Sequence, residues 1–316
     1  MENLSSLIGD SAELLNVLTA ARIVALTDTT VLIQGESGTG KELLARYLHQ
    51  HSRRANTAFV TISCTTVPTQ LPEADLFGYR KGSFPGADND QQGKICKAHG
   101  GTLLLDEISE LPLSAQAKLL RFLETGECQT FGDSQPRHAN VRVIATTNKN
   151  LYQLSKEGKF RADLFFRLNI VPLEMPALRH RSGDIHLLAQ YFLTQYSHEY
   201  QLNCPRLSPV ALQNLMKYPW PGNVREIRNL CERLVILKPD HTISQENLPA
   251  EYRSGREHHA EFPFNFPDSG IKLFEWEKQI ISTALRKTQG NRSKAARLLG
   301  LSRDTLLYRI KKYALH

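Results

Sequence analysis

One glycine-rich segment constrains the fold of this 316-residue chain more than any other feature. It lies between the apolar run TVLIQ at 30–34, which predicts a buried strand, and residues 42–50, which predict a helix. The segment reads Gly35-Glu-Ser-Gly-Thr-Gly-Lys41. Glycines let the backbone wrap closely around phosphate oxygens, and N–H groups at a helix start add positive partial charge. The placement predicts a P-loop whose Lys41 carries a full positive charge to the phosphates; the alternative is a plain glycine turn.

A second segment complements this loop. The strand pattern GGTLLL at 100–105 ends in Asp106 and Glu107, about 65 residues downstream. The residue after Lys41 is Glu42 rather than a hydroxyl residue, so Mg²⁺ must be bound elsewhere. We expect Asp106 to hold Mg²⁺, largely through water, and Glu107 to polarise the attacking water as a general base. The alternative is two acids that merely cap a strand.

The remaining pattern predicts an α/β fold followed by helices. Apolar strands at 58–63, 102–106 and 141–146 alternate with helices such as 113–125, which predicts a parallel sheet with helices on both faces. Residues 183–239 are helical throughout, whereas 250–269 are polar and aperiodic. The predicted organisation is a nucleotide-binding subdomain at 1–174, a helical lid at 175–249, a linker at 250–269 and a helical unit at 270–316.

Composition excludes several classes of protein. A hydrophobic fraction of 41% and a charged fraction of 22% are ordinary for a soluble protein, and the net charge of +7 favours a polyanionic partner. No apolar run reaches the roughly 18 residues of a membrane span. The first ten residues lack a basic segment followed by an apolar stretch, so they predict no signal peptide, and we expect a cytoplasmic protein without membrane contact. The cysteines are widely spaced without Cys-x-x-Cys, which predicts ordinary thiols rather than disulfides or a zinc site. They are Cys64, Cys96, Cys128, Cys204 and Cys231.

The C-terminal unit has the pattern of two helices joined by a tight turn. Residues 291–299 predict one helix, Gly300 the turn and 303–313 a second helix with Ser302 as its N-cap. Seven Lys or Arg residues lie between 292 and 312, against the single acid Asp304. The residues expected to face the core of the unit are Ala295, Ala296, Leu306, Ile310 and Tyr313.

Seven segments together form a specific pattern: GESGTGKE (35–42), FGYRKGSFPGA (77–87), GGTLLLDEI (100–108), ATTN (145–148), FRADLFFRLN (160–169), WPGNVREIRN (220–229) and GNRSKAARLLGLSRDTLLYRIKKY (290–313). On these segments the chain resembles, from about Ile8 to Tyr313, the AAA+ activators of sigma-54 RNA polymerase, the enhancer-binding proteins of the NtrC-like response-regulator type. Glu42 is also the family's residue after the lysine.

The resemblance implies ATP and Mg²⁺ as cofactors and a role for each matching residue. Asn148 is similar to sensor I, Arg225 to the sensor II that reaches nucleotide in cis, and Arg161 and Arg167 to the arginine fingers offered to a neighbouring subunit. If their segment is helical, these two arginines lie roughly 120° apart and are not redundant. The implied ATP-binding residues are Gly35, Glu36, Ser37, Gly38, Thr39, Gly40, Lys41, Glu42 and Arg225.

Two positions depart from the family pattern. The family's GAFTGA loop, which contacts sigma-54, here reads Gly82, Ser83, Phe84, Pro85, Gly86 and Ala87. Pro85 in place of threonine removes a hydroxyl and a backbone donor and fixes φ near −65°. Ser63 stands where the family has an asparagine that links the catalytic glutamate to the loop. In the family, both positions help to transmit the effect of ATP hydrolysis to sigma-54. The alternative is that the two substitutions are neutral drift without functional effect.

The C-terminal unit resembles a Fis-type helix-turn-helix. We expect Arg303 to contact a guanine edge and basic residues such as Lys311 to contact phosphates. The predicted DNA contacts are Arg292, Lys294, Ser302, Arg303, Thr305, Tyr308, Arg309 and Lys312. Residues 271–285, with apolar Ile271, Phe274, Ile281 and Leu285, are expected to dimerise the unit. A basic helical hairpin used for oligomerisation is the alternative.

The resemblance and its two departures leave two functions open. In the first, which the resemblance implies, the chain binds upstream double-stranded DNA, assembles as a hexameric ring, hydrolyses ATP at subunit interfaces and remodels sigma-54 RNA polymerase. In the second, it uses nucleotide for assembly and acts without sigma-54, as a repressor or with another sigma factor; Pro85 and Ser63 favour this alternative. Residues 1–7 are too few for a receiver domain, so control is expected from a regulatory protein in trans or from expression level, unless the chain is an excised fragment.

Overall fold

A computed structural model describes residues 7–65, 72–84, 87–133, 135–253, 273–288, 290–301 and 303–313. The chain divides into two compact units, Met1–Gly255 and Arg256–His316. Within the described ranges, no helix has both the length and the apolar character that crossing a membrane requires. Pro85, Gly86, Ser302 and Ile271, named above, fall outside the described residues.

The elements follow one another as the sequence pattern predicts, with short pairs of strands added between them. In chain order the strands are β1 (Val31–Gln34), β2 (Phe59–Ser63), β3 (Gly78–Tyr79), β4 (Gln91–Gln92), β5 (Thr102–Asp106), β6 (Glu127–Cys128), β7 (Arg137–His138), β8 (Arg142–Thr147), β9 (Val171–Glu174), β10 (Arg206–Leu207) and β11 (Thr242–Ile243). The helices are α1 (Ala12–Ala25), α2 (Lys41–Gln50), α3 (Pro72–Phe77), α4 (Lys94–Lys97), α5 (Leu113–Thr125), α6 (Leu151–Lys156), α7 (Ala162–Leu168), α8 (Asp184–Tyr200), α9 (Pro209–Lys217), α10 (Asn223–Leu237), α11 (Ala250–Arg253), α12 (Leu273–Lys287), α13 (Arg292–Leu298) and α14 (Arg303–Lys312). Single turns of 3₁₀ helix occur at Ile108–Glu110, Leu178–His180 and Gln245–Asn247.

The predicted parallel sheet is confirmed. Its five strands run in the order β2-β5-β8-β1-β9, and every pairing between neighbours is parallel. Because parallel strands carry loops at their carboxyl ends on one edge, this order places the loop after β1 close to the ends of β5 and β8. The P-loop therefore meets Asp106 and Asn148 at one edge of the sheet.

Both faces of the sheet are buried, each against its own set of helices. Along β5, Leu103 and Leu105 belong to the hydrophobic cluster that includes α5 and α7, while Leu104 belongs to the cluster with α1 and α2. This alternation follows from the two-residue period of a strand. Truncating a leucine as buried as Leu104 to alanine costs about 2–5 kcal/mol, so the pattern strongly fixes the register.

The lid is a helical cluster of α8, α9 and α10, and its residue Val224 donates a backbone hydrogen bond to Gly38 of the phosphate loop. The linker was predicted to begin at residue 250, which is too early. Residues 250–253 form α11, and Tyr252 is only 5% exposed within the lid core. Its ring packs on Tyr218 and Trp220 at centroid distances of 4.7 and 5.5 Å, and its hydroxyl donates to Glu226. Tertiary packing therefore holds a four-residue helix that is too short to show a period in sequence.

The second unit is a three-helix cluster around Ile281, Ala295, Ala296, Leu306 and Ile310. Gly300 adopts the left-handed conformation expected for the turn, with φ 63°. The prediction for residues 271–285 was wrong in one respect: Ile281 is 2% exposed and packs with Leu285 in the unit's own core. Phe274 remains 56% exposed.

Candidate functional site

The phosphate loop connects β1 to α2 through backbone conformations that favour glycine. Gly38 and Gly40 have φ of 80° and 103°. A Cβ on Gly38 would lie 2.3 Å from the carbonyl oxygen of Gly222, so the lid approaches the loop too closely for any side chain there. The loop is therefore pressed between the sheet edge and the lid.

Lys41 begins α2, and its side chain is only 6% exposed. The ammonium donates to the carbonyl oxygens of Gly35 at 2.9 Å and Glu36 at 3.2 Å. It also forms an ion pair with the Glu107 carboxylate, with 3.1 Å between Nζ and Oε1. The positive charge thus lies at the centre of the loop, where phosphate oxygens would be received.

The end of β5 is organised by Thr146, to which the sequence motifs assigned no role. Thr146 is fully buried; its hydroxyl donates to Asp106 Oδ1 at 2.6 Å and accepts the Glu107 backbone N–H at 3.1 Å. The sequence pattern alone did not single out Thr146; the pairing of Leu105 with Ala145 in the sheet places the next residues of β5 and β8 side by side. Thr146 therefore fixes both acids of the motif.

Glu107 is held in an unusual backbone conformation. Its φ of 53° and ψ of 55° are left-handed, which is uncommon for a residue other than glycine. One carboxylate oxygen accepts from the Asn148 backbone N–H at 3.0 Å, and the other faces Lys41. The carboxylate therefore lies beside both the P-loop lysine and the predicted sensor I position.

Glu36 and Ser37 connect the loop to the lid. Arg179 donates two hydrogen bonds to the Glu36 carboxylate, at 2.9 and 2.6 Å, and Asn223 adds a third at 3.1 Å. These hydrogen bonds, that from Arg179 first, lower the pKa of Glu36 although partial burial opposes them. Arg225, the predicted sensor II residue, donates to the Ser37 hydroxyl at 2.9 Å. Glu36 keeps its predicted place in the phosphate loop, where its backbone remains a candidate for nucleotide contact, and its carboxylate binds the lid.

The two predicted arginine fingers are exposed, and each contacts a group of its own chain. Arg161 precedes α7 in an extended conformation, with φ −78° and ψ 133°, and pairs with Asp163 at 2.7 Å. The segment is therefore not helical at Arg161, and the angle of roughly 120° predicted between Arg161 and Arg167 for a continuous helix does not apply. Arg167 lies within α7 and donates to the Leu123 carbonyl at 2.8 Å.

The loop at 82–87 is closed at its base. The Gly82 N–H donates to the Ala87 carbonyl at 2.9 Å. Phe84 is half-buried, with its ring edge-on to Tyr79 at 4.9 Å and to Phe131 at 6.4 Å. Ser63 lies on β2 beside Asp106, and its hydroxyl is 2.8 Å from the Thr65 hydroxyl. Aromatic packing thus ties the described part of this loop to the segment that follows β6.

Comparisons with known proteins agree over the whole length. Residues 7–174 match the sigma-54 interaction domain, 179–262 an AAA+ ATPase lid domain and 273–313 the Fis family of bacterial regulatory proteins. The chain is 41% identical to the regulatory protein AtoC of Escherichia coli K12 over 312 residues, which covers 98% of this chain and 68% of that protein. It is also 41% identical to the transcriptional regulator NtrC of Rhizobium meliloti, covering 97% of this chain and 69% of that one.

The chain belongs to the sigma-54-dependent activators. A crystal structure of NtrX from Brucella abortus in complex with ATP is 33% identical and covers 98% of this chain and 69% of that one, with a TM-score of 0.73. The sigma-54 activator described here therefore has an AAA+ fold, binds nucleotide, and is an ATPase that regulates transcription through a DNA-binding unit.

The predicted DNA contacts of this activator differ in their exposure to solvent. Arg292, Lys294, Arg303, Tyr308 and Lys312 are exposed, and Tyr308 is 68% exposed. Arg309 instead forms an ion pair with Glu277 of α12, which also accepts from the Tyr313 hydroxyl. Thr305 is partly buried. Arg309 thus connects α14 to α12, and the exposed set is the better candidate for DNA.

Proposed function

We propose that this chain hydrolyses ATP at the interfaces of a ring of its own copies, a hexamer by resemblance, and uses that hydrolysis to remodel sigma-54 RNA polymerase from an upstream DNA site. The observation that carries the proposal is the pairing of Glu107 with both Lys41 and the Asn148 backbone, next to Asp106. A carboxylate fixed beside a phosphate-binding lysine is placed to take a proton from water attacking a terminal phosphate.

The residues present fit Mg²⁺ with few protein ligands. Mg²⁺ keeps several waters and is held by one or two carboxylates together with substrate phosphates. Asp106 supplies one such carboxylate at the strand end, oriented by Thr146. When bound there, the ion would neutralise charge on the phosphates. Arg225, which reaches the P-loop at Ser37, is the group we assign to sense the nucleotide in cis.

Assembly in a ring is supported by the position of the arginines. Arg161 and Arg167 are exposed on the described surface, and Phe166 between them is 68% exposed. Charge that develops on the transferred phosphate needs a cation, and an arginine supplied in trans can contribute ~10³-fold in rate. We therefore assign both arginines to the nucleotide of a neighbouring copy, so that hydrolysis depends on assembly.

We assign sigma-54 contact to the loop Gly82–Ala87. Phe84 packs edge-on against Tyr79 and Phe131 at the base of this loop and is only half-buried, so part of its surface is open to a partner. Pro85 supplies neither the hydroxyl nor the backbone donor of the family threonine. For the DNA unit, the exposed apolar side chains Phe274 and Ile280 on α12 support self-association.

The test is transcription in vitro with sigma-54 RNA polymerase, a promoter carrying an upstream site, and ATP. The parent chain should form open complexes that need ATP, and Glu107→Gln should abolish them. Comparison of the parent with Pro85→Thr measures how much the proline reduces the coupling of ATP hydrolysis to open-complex formation. A parent chain that hydrolyses ATP yet forms no open complex, while Pro85→Thr gains one, would overturn the proposal and favour a regulator that acts without sigma-54.

A further inference from the structure

Two cysteines that are not part of the candidate nucleotide site lie in contact. Cys96 on α4 and Cys128 on β6 are separated by 32 positions in sequence, yet their sulfur atoms are 3.0 Å apart. A disulfide bond measures about 2.05 Å, so the sulfurs need to approach by only about 1 Å to be joined. The absence of a Cys-x-x-Cys motif predicted ordinary thiols, and a contact between distant segments cannot be read from spacing.

The other three cysteines differ in their surroundings. Cys64 and Cys231 are buried, and burial raises the pKa of the Cys64 thiol to about 12. Cys204 is exposed. No other sulfur–sulfur contact occurs among the five cysteines, all of which the structure describes. Cys96 and Cys128 are therefore the pair suited to intramolecular chemistry.

The two thiols of the pair are unequally accessible. Cys128 is fully buried, whereas Cys96 is partly exposed. The hydrogen bond between them lowers the pKa of Cys96 to about 7, with a smaller contribution from the Arg137 charge, while burial acts in the opposite direction. The thiolate is the reactive form of cysteine. A reagent in solution should therefore meet a reactive Cys96, and Cys128 should react only with a group carried by Cys96.

We propose that Cys96 and Cys128 form a reversible intramolecular disulfide by exchange with a low-molecular-weight disulfide. The Cys96 thiolate attacks one sulfur of the reagent, forms a mixed disulfide and releases one thiolate. Cys128 loses its proton and attacks Cys96 Sγ, which forms the protein disulfide and releases the second thiol. The two cysteines are oxidised by two electrons in total, and one molecule of reagent is reduced to two thiols.

The bond would join two segments that already share weaker contacts. α4 follows β4, which pairs with β3, and the Phe131 N–H donates to the Gly78 carbonyl of β3 at 2.9 Å. Phe131 lies three residues after Cys128 and packs on Phe84. Oxidation would thus lock the base of the loop 82–87 to the segment after β6. If the proposed function holds, the disulfide should prevent the loop from remodelling sigma-54 RNA polymerase while ATP turnover continues.

The first experiment detects the bond without any activity. The reduced chain of 316 residues is incubated with glutathione disulfide near neutral pH, quenched, alkylated and digested with trypsin without reductant. Mass spectrometry should find the peptide Ile95–Lys97 linked to Phe122–Arg137. Exposed Cys204 should carry glutathione in every sample, which confirms that the reagent is active, and Cys64→Ser should leave the linked peptide unchanged.

Single variants test the order of the steps. Cys128→Ser should trap glutathione on Cys96, and Cys96→Ser should leave Cys128 unmodified. Glutathione that accumulates on Cys96 of the parent without a linked peptide, or that modifies Cys128 in Cys96→Ser, would overturn the proposal.

A second experiment tests the consequence for output. The oxidised chain should keep its ATP turnover and lose open-complex formation, and a reductant should restore it. The Cys96→Ser, Cys128→Ser double variant should not respond to the oxidant. Unchanged open-complex formation by a fully linked chain would overturn this consequence. If even the reduced chain forms no open complex, the proposed function fails, and the linked peptide still decides the disulfide.

Discussion

Lys41 and Glu107 form an ion pair of 3.1 Å inside the phosphate site, with side chains only 6% and 18% exposed. The lysine that is to bind phosphate and the carboxylate that is to activate water are thus direct partners. A phosphate bound by Lys41 would compete for the ammonium, while the Asn148 backbone would still hold the other carboxylate oxygen. Nucleotide binding and presentation of the base are therefore linked through one lysine.

Glu107→Gln should separate binding from hydrolysis. The amide keeps the shape of the side chain but cannot take a proton, so ATP turnover should fall by about 10²- to 10⁴-fold while nucleotide still binds. Phosphate release and a titration with fluorescent nucleotide measure the two properties. Glu110→Gln is the matched control, because this nearby exposed carboxylate pairs with Lys149. Near-parental turnover by Glu107→Gln would exclude it as the general base.

Thr146→Val should impair turnover through its two acidic partners. Valine has the same shape but cannot orient Asp106 or accept from the Glu107 backbone, and small displacements of catalytic groups can lower rates by about 10²-fold. Thr146→Ser should restore activity. In the control Thr147→Val, the lost hydroxyl contacts only the backbone of Lys149. Equal losses of turnover in both valine variants would indicate a general effect on the strand rather than positioning.

Local patterns predicted the parts of this site that lie within one stretch of sequence. The loop before Lys41, the strand ending at Asp106 and the turn at Gly300 each combine an apolar period with a residue type that the backbone requires. The strand order could not be read in this way, because it depends on which strands pair. Given that order, the register between β5 and β8 would have identified Thr146.

Contacts between distant positions are what the sequence could not show. Glu36 binds Arg179 143 positions away, and no local period reports such a pairing. For the same reason the motif could assign Glu36 to the phosphate loop but could not show that its carboxylate binds Arg179 of the lid. Ile281 has the apolar pattern of an interface residue, but packing against α13 and α14 buries it within its own unit. Periodicity identifies an apolar face without identifying what covers it.

Arg167→Ala should cut ATP turnover by ~10³-fold without loss of nucleotide binding, because the guanidinium is expected to act on a neighbouring copy. Mixing Arg167→Ala with Glu107→Gln should recover part of the activity, since some interfaces would then combine an intact Glu107 with an intact Arg167. Arg121→Ala is the control, as this exposed arginine pairs with Glu127. Turnover that stays at the level of the separate variants after mixing would contradict action in trans.

Alkylation of Cys96 should depend on pH in a way that reports its partner. Because its pKa is lowered to about 7, the thiolate fraction and the rate with iodoacetamide should rise through neutral pH and then level off. Cys64, with its pKa raised to about 12, should stay unreactive over the same range. In Cys128→Val the hydrogen bond is lost and desolvation remains, so the rise should move to higher pH. An unchanged profile in Cys128→Val would show that the contact does not set the reactivity.

Arg303→Ala and Lys294→Ala should weaken DNA binding in different ways. Loss of a bidentate contact to a guanine should reduce specific affinity by about 1–3 kcal/mol and relax the preference at one base pair. Loss of a phosphate contact should weaken binding to all sequences and reduce the slope of log affinity against log salt by about 1. Lys278→Ala, which removes an exposed charge on α12, is the control for a change of charge alone. Titrations against specific and unrelated duplexes at several salt concentrations distinguish these outcomes, and an equal loss on both duplexes for Arg303→Ala would reassign it to phosphate.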